Sequence, residues 1–69
     1  MIKGVEINYI LWKVNLLRLY KLSRKELEEE LREYLYIDSL EVFFQDDKVV
    51  VETPCWSLFI ERLNYRIVY

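Results

Sequence analysis

Two carboxylates raise the first chemical question. Glu41 and Glu52 fall opposite one another when Leu40–Thr53, LEVFFQDDKVVVET, folds as a β-hairpin turning at Asp46-Asp47. A close carboxylate pair is a start for acid–base chemistry, because repulsion drives the two pKa values apart. Such a site also needs a positioned nucleophile or a phosphate-cradling loop, and the chain offers no motif for either. Two carboxylates alone are a poor Mg²⁺ or Ca²⁺ site, since both ions take further oxygen ligands. Like charges across a strand pair destabilise it. Either the register differs, or a cation lies between them, supplied by Arg62, Arg66, a partner chain or a metal. An arginine is the expected one. We expect no enzyme, no cofactor and no metal site.

Cys55 follows Thr53-Pro54, where a helix is expected to begin, and a helix N-terminus can lower a thiol pKa. A catalytic thiol also needs a base, and the chain has no His. The plainer reading is a small residue at the edge of the core. One Cys and no His also exclude an intrachain disulfide and a structural zinc site.

Two charged clusters remain. Lys21, Arg24, Lys25 and Arg32 lie near the start of an expected helix, where backbone amides can hold a phosphate. Glu26, Glu29, Glu30 and Glu33 share one arc of the same helix. They suit a cationic partner or, more plainly, a solvated face partly offset by Lys13, Arg18 or Lys21.

The elements that must position these residues are read from periodicity. In the hairpin, one face carries Leu40, Val42, Phe44, Val49, Val51 and Thr53 and is expected to meet helices. The other carries Glu41, Phe43, Gln45, Lys48, Val50 and Glu52. Phe43 and Val50 make an apolar island there. With Glu41 and Glu52 they form the candidate partner-binding surface, unless the N-terminal segment or the C-terminal strand covers them.

Residues 1–9 read two ways. Val5, Ile7 and Tyr9 alternate as in a half-buried strand, whereas Val5, Tyr9, Trp12, Leu16 and Leu19 recur at helical spacing. β-branched enrichment favours a strand at the start. From Ile10 a helix is expected, with Trp12, Leu16, Leu19 and Tyr20 on one face and Ile10, Val14 and Leu17 on a second flank. Ser23-Arg24-Lys25-Glu26 is a capping box. The helix it starts runs to about Tyr36, buries Leu27, Leu31, Tyr34 and Leu35, and pairs Glu28 with Arg32. Thr53 and Pro54 suit the N-cap and first position of a third helix, with Trp56, Phe59, Ile60 and Leu63 at i, i+3, i+4 and i+7. The tail, residues 65–69, has strand propensity but also extends the helical stripe through Ile67.

Strand-like Lys3–Tyr9, helix Ile10–Lys21 and helix Arg24–Tyr36 follow the order of ribbon-helix-helix DNA-binding proteins. LSRKELEEELREYL resembles the second helix of that family. The resemblance covers about half the chain and implies a nucleic-acid-binding regulator as the alternative function. The face that would enter the major groove offers Gly4, Glu6 and Asn8, and the glycine usual between the two helices is missing.

The totals complete the reading. Sixty-nine residues make one domain, 1–69. A chain this short buries only about 60% of its unfolded surface. With 54% hydrophobic and 16% aromatic residues and no covalent staple, a homo-oligomer, most simply a dimer, is expected. A net charge of −2 argues against general nucleic-acid binding. Lys3, Gly4 and Glu6 interrupt any secretory leader, and Lys13, Asn15, Arg18 and Lys21 break the most apolar stretch, so neither a leader nor a membrane span is expected. A cytoplasmic location is expected. The absence of Ala and His, with abundant Ile, Tyr and Glu, fits a thermophile. The expected fold is a small α+β domain with helices on one face of an antiparallel hairpin or sheet, in the order β/α-α-β-β-α-β. The expected function is a non-enzymatic, self-associating module that binds another macromolecule.

Overall fold

Ile7, Ile10 and Val14 repeat at helical spacing and are buried together. In the computed structural model, which describes every residue from Met1 to Tyr69, they belong to one helix, α1, spanning Gly4–Arg18. The strand read from Val5, Ile7 and Tyr9 does not form, and with it goes the ribbon of the ribbon-helix-helix resemblance. Glu6 helps the helix start. Its Oε1 accepts from the Lys3 amide at 2.9 Å, one half of a capping box. The helix is also turned relative to the expected face. Trp12, Leu19 and Tyr20 are exposed, and the flank of Ile10, Val14 and Leu17 packs inward. α1 is apolar on nearly all sides, so periodicity marks a helix without marking its inner stripe.

α1 ends in a Schellman motif. The Tyr20 amide donates to the Leu17 carbonyl and the Lys21 amide to that of Leu16. Tyr20 holds the left-handed residue at φ 59° where glycine would be unstrained. The second helix, α2, spans Arg24–Leu35 and starts at the expected capping box. The Glu26 amide donates to Ser23 Oγ at 3.1 Å, and the Ser23 amide to Glu26 Oε1 at 2.9 Å. Leu27 and Leu31 are fully buried, while Tyr34, expected inside, lies exposed at the edge. Tyr36 ends the helix, again left-handed at φ 57°.

The hairpin forms in the expected register. Strands β1, Glu41–Gln45, and β2, Lys48–Glu52, pair Glu41 with Glu52, Val42 with Val51, Phe43 with Val50 and Phe44 with Val49. Asp46 takes φ 56° at the turn, a conformation aspartate tolerates. Leu40, Val42, Val49, Val51 and Thr53 are buried on the inner face, but Phe44, near the tip, is exposed.

The expected third helix is instead a strand, and of the two readings of the tail the strand forms. β3 is Ser57–Ile60 and β4 is Tyr65–Val68. Thr53 and Pro54 open a tight turn: Thr53 Oγ1 accepts from the amides of Cys55 and Trp56, and the Thr53 amide donates to the Trp56 carbonyl at 2.9 Å. Trp56, Leu58 and Ile60 then alternate into the core, which the stripe Trp56-Phe59-Ile60-Leu63 obscured. A strand satisfies the free backbone edge of β2; a helix there would have left it bare. The four strands form one antiparallel sheet in the order β1-β2-β3-β4. Ile10, Val14, Leu27 and Leu31 of the helices share a core cluster with Leu40, Val42, Val49, Val51, Trp56, Leu58 and Ile60. The result is a two-layer α+β domain in the order α-α-β-β-β-β, with both helices on one face of the sheet. No helix is long and apolar enough to cross a membrane.

Candidate functional site

The sheet has a second face on which no element packs. Strand pairing puts Phe43, Val50, Phe59 and Arg66 in one cross-strand row on that face. Glu41, Glu52, Ser57 and Val68 form the row beside it. Val50 is only 1% exposed, so it is the floor of the apolar island and not a contact residue. Phe43, 37% exposed, and half-buried Phe59 flank it. The Arg66 guanidinium lies 5.3 Å from the Phe59 ring centroid, a cation–π contact. Reading Trp56–Leu63 as a helix hid Phe59 from this face, and Arg66, named as a possible cation for Glu41 and Glu52, rests on Phe59 instead. The apolar residues at every second position, Trp56, Leu58 and Ile60, are the sequence signal that places Phe59 on the opposite face.

Glu41 and Glu52 are cross-strand neighbours, and neither forms an ion pair within the chain. The expected arginine does not lie between them: Arg66 rests on Phe59. No third acidic, His or Cys side chain joins them. The nearest ion pair on this face is Lys48 with Glu61 at 3.9 Å. The open face therefore presents a pair of solvated carboxylates beside two aromatic rings.

The candidate phosphate residues are divided. Arg24 Nη1 donates to the Val42 carbonyl at 2.8 Å, and Arg32 Nε donates to the Leu40 carbonyl at 2.7 Å. Both arginines also pair with Glu28, at 3.2 and 3.3 Å. Glu28 Oε2 in turn accepts the Val42 amide at 2.8 Å. This bond, helped by the two arginines against partial burial, holds the Glu28 carboxyl below its ordinary pKa. Arg24, Glu28 and Arg32 are thus one row along α2 that bonds the outer edge of β1. At the start of α2 the Ser23 amide donates to the Glu26 carboxylate, which lowers its pKa, and the Glu26 amide donates to Ser23 Oγ. Only Lys21 and Lys25 remain without a partner at this end.

The glutamate arc is partly offset, as read from the sequence. Lys13 Nζ meets Glu30 Oε1 at 2.6 Å, and that hydrogen bond raises the lysine pKa. Lys13 also lies 4.7 Å from the Trp12 ring centroid, and Tyr9 stacks on Tyr34 at 3.8 Å. Cys55 is exposed in the β2–β3 turn, so neither a helix dipole nor the edge of the core applies to it.

The class this geometry defines is a two-layer α+β domain with one bare sheet face and one bare sheet edge. No protein-family model matches the chain, and no curated protein and no solved structure matches it.

Proposed function

We propose that the chain is a non-enzymatic, self-associating interaction module that binds another macromolecule through the open face of its sheet. The observation that carries this reading is the row Phe43-Val50-Phe59, an apolar strip on a face that no helix or loop of the chain covers. Water-facing sheet surfaces are ordinarily polar at alternate positions. Two aromatic rings over a buried valine, beside the unpaired carboxylates of Glu41 and Glu52, suit a protein partner. That partner would offer an apolar contact ringed by lysine or arginine. Phe43 and Phe59 are the contact residues, Val50 supports them, and Glu41 and Glu52 set the orientation.

The test is photocrosslinking in the producing cell, with a photoreactive phenylalanine analogue at position 43 and the same analogue at Asp47 as control. A discrete heterologous adduct specific to position 43 is expected. Adducts identical from both positions, or none, contradict the reading. The nucleic-acid alternative is separated by retention on immobilised duplex DNA at low salt. Binding that weakens steeply with salt would favour it over a protein partner.

A further inference from the structure

The two edges of the sheet are built differently, and the difference points to the mode of self-association. On β1, the backbone groups that face away from β2 belong to Leu40, Val42 and Phe44. Side chains of α2 occupy the Leu40 carbonyl and both polar groups of Val42. On β4, the Glu61 amide donates to the Asn64 carbonyl, which fixes the pairing phase of the β3–β4 hairpin. Arg66 and Val68 then bond β3, so the amides and carbonyls of Tyr65 and Ile67 point away from the sheet. No side chain hydrogen-bonds to them. Tyr65, Val68 and Tyr69, which flank this edge, are exposed.

We propose that β4 pairs antiparallel with β4 of a second copy, joining two four-stranded sheets into one. The proposal rests on the self-association reading and names its surface. Charge and hydrogen bonding select one register. Centring the two-fold on Ile67 opposes Ile67 to its counterpart, Tyr65 to Tyr69, and Arg66 to Val68. It uses every outward-facing group, giving about six hydrogen bonds. Slipping two residues one way centres the axis on Arg66 and opposes two guanidinium groups, which is unfavourable. Slipping two the other way centres it on Val68 and loses two of the hydrogen bonds. The occupant is a second copy because this strand is complementary to itself in that register: the exposed aromatic rings of Tyr65 and Tyr69 meet on one face, and Val68 receives the Arg66 stem on the other. The closed β1 edges would stand at both ends of the joined sheet, so association stops at two copies and does not propagate.

Val68 provides the test. It lies on the open face, 46% exposed and outside the core, so charged substitutions leave the monomer fold intact, which a thermal melt checks. Val68→Glu puts a carboxylate opposite Arg66 of the other copy twice over, and Val68→Lys puts a like charge there. Sedimentation equilibrium of the full chain should show a dimer in the micromolar range. Its dissociation constant should tighten roughly tenfold in V68E and weaken roughly tenfold in V68K, from two cross-strand charge pairs. A wild-type chain that stays monomeric through that range overturns both the proposal and the self-association reading. A dimer indifferent to both substitutions, or weakened by both, overturns the β4 register and leaves self-association to another surface.

Discussion

The β1 and β4 edges face the same problem with opposite outcomes. Each ends a sheet and each presents backbone groups that would otherwise pair with any passing strand. β1 lies beside α2, and Arg24, Glu28 and Arg32 reach across at successive turns to act as a substitute neighbouring strand. β4 has no helix beside it and keeps its groups open. Edge protection here is therefore a property of which helix lies alongside, not of the strand's own composition.

The largest effect should come from breaking the closed edge. Glu28 is 13% exposed in its side chain and bonds one amide and two guanidinium groups. Glu28→Ala should lower stability by roughly 2–3 kcal/mol in denaturant unfolding, because it leaves a strand amide and two cations without their acceptor. Glu28→Gln keeps an acceptor for Val42 and should cost less. The pH dependence of that variant sharpens the point. The folded-state pKa of Glu28 is depressed below 4.5, so its charge contributes stability above that value and loses it as pH falls through the folded pKa. The stability gap between wild type and Glu28→Gln should be full near neutral pH and narrow in acid.

A smaller loss, about 1 kcal/mol, is expected for Arg32→Ala, which frees the Leu40 carbonyl to water. The smallest effect has the opposite sign. Tyr36, 92% exposed and left-handed, ends α2 one turn after Arg32 and leads into β1. Tyr36→Gly should stabilise the chain by roughly 0.5–1 kcal/mol through relief of backbone strain, with Tm as the readout and the oligomeric state unchanged.

The hairpin was legible because its period-two pattern and its two-residue turn admit one register that hides the valines. The capping box at Ser23 was legible because its two bonds are local. The segment after the hairpin, read as a third helix, was not, and Thr53-Pro54 explains why. A hydroxyl that accepts an amide two or three residues on, followed by a residue with fixed φ, serves a helix N-cap and a tight turn equally well. Trp56–Leu63 fits both periods, and the unpaired edge of β2 decides between them. The candidate face was only partly visible for the same reason: Phe43 and Val50 come from the readable hairpin, Phe59 from the strand read as a helix, and Arg66 from a tail left open between strand and helix. Arg24 and Arg32 looked like free cations because nothing local reveals that the strand eighteen and eight residues further on presents its backbone to them.

Amide hydrogen exchange at Val42, Phe44 and Ile67, followed by NMR over a range of protein concentrations, tests the contrast between the edges most directly. Val42 should be protected at every concentration, because Glu28 of the same chain holds its amide. Phe44, at the unclamped end of the β1 edge, should exchange fast throughout. Ile67 should exchange as fast as Phe44 in dilute solution and become protected as the dimer forms. A Val42 amide as labile as that of Phe44, or an Ile67 amide that stays labile at concentrations where the chain is dimeric, would contradict the account.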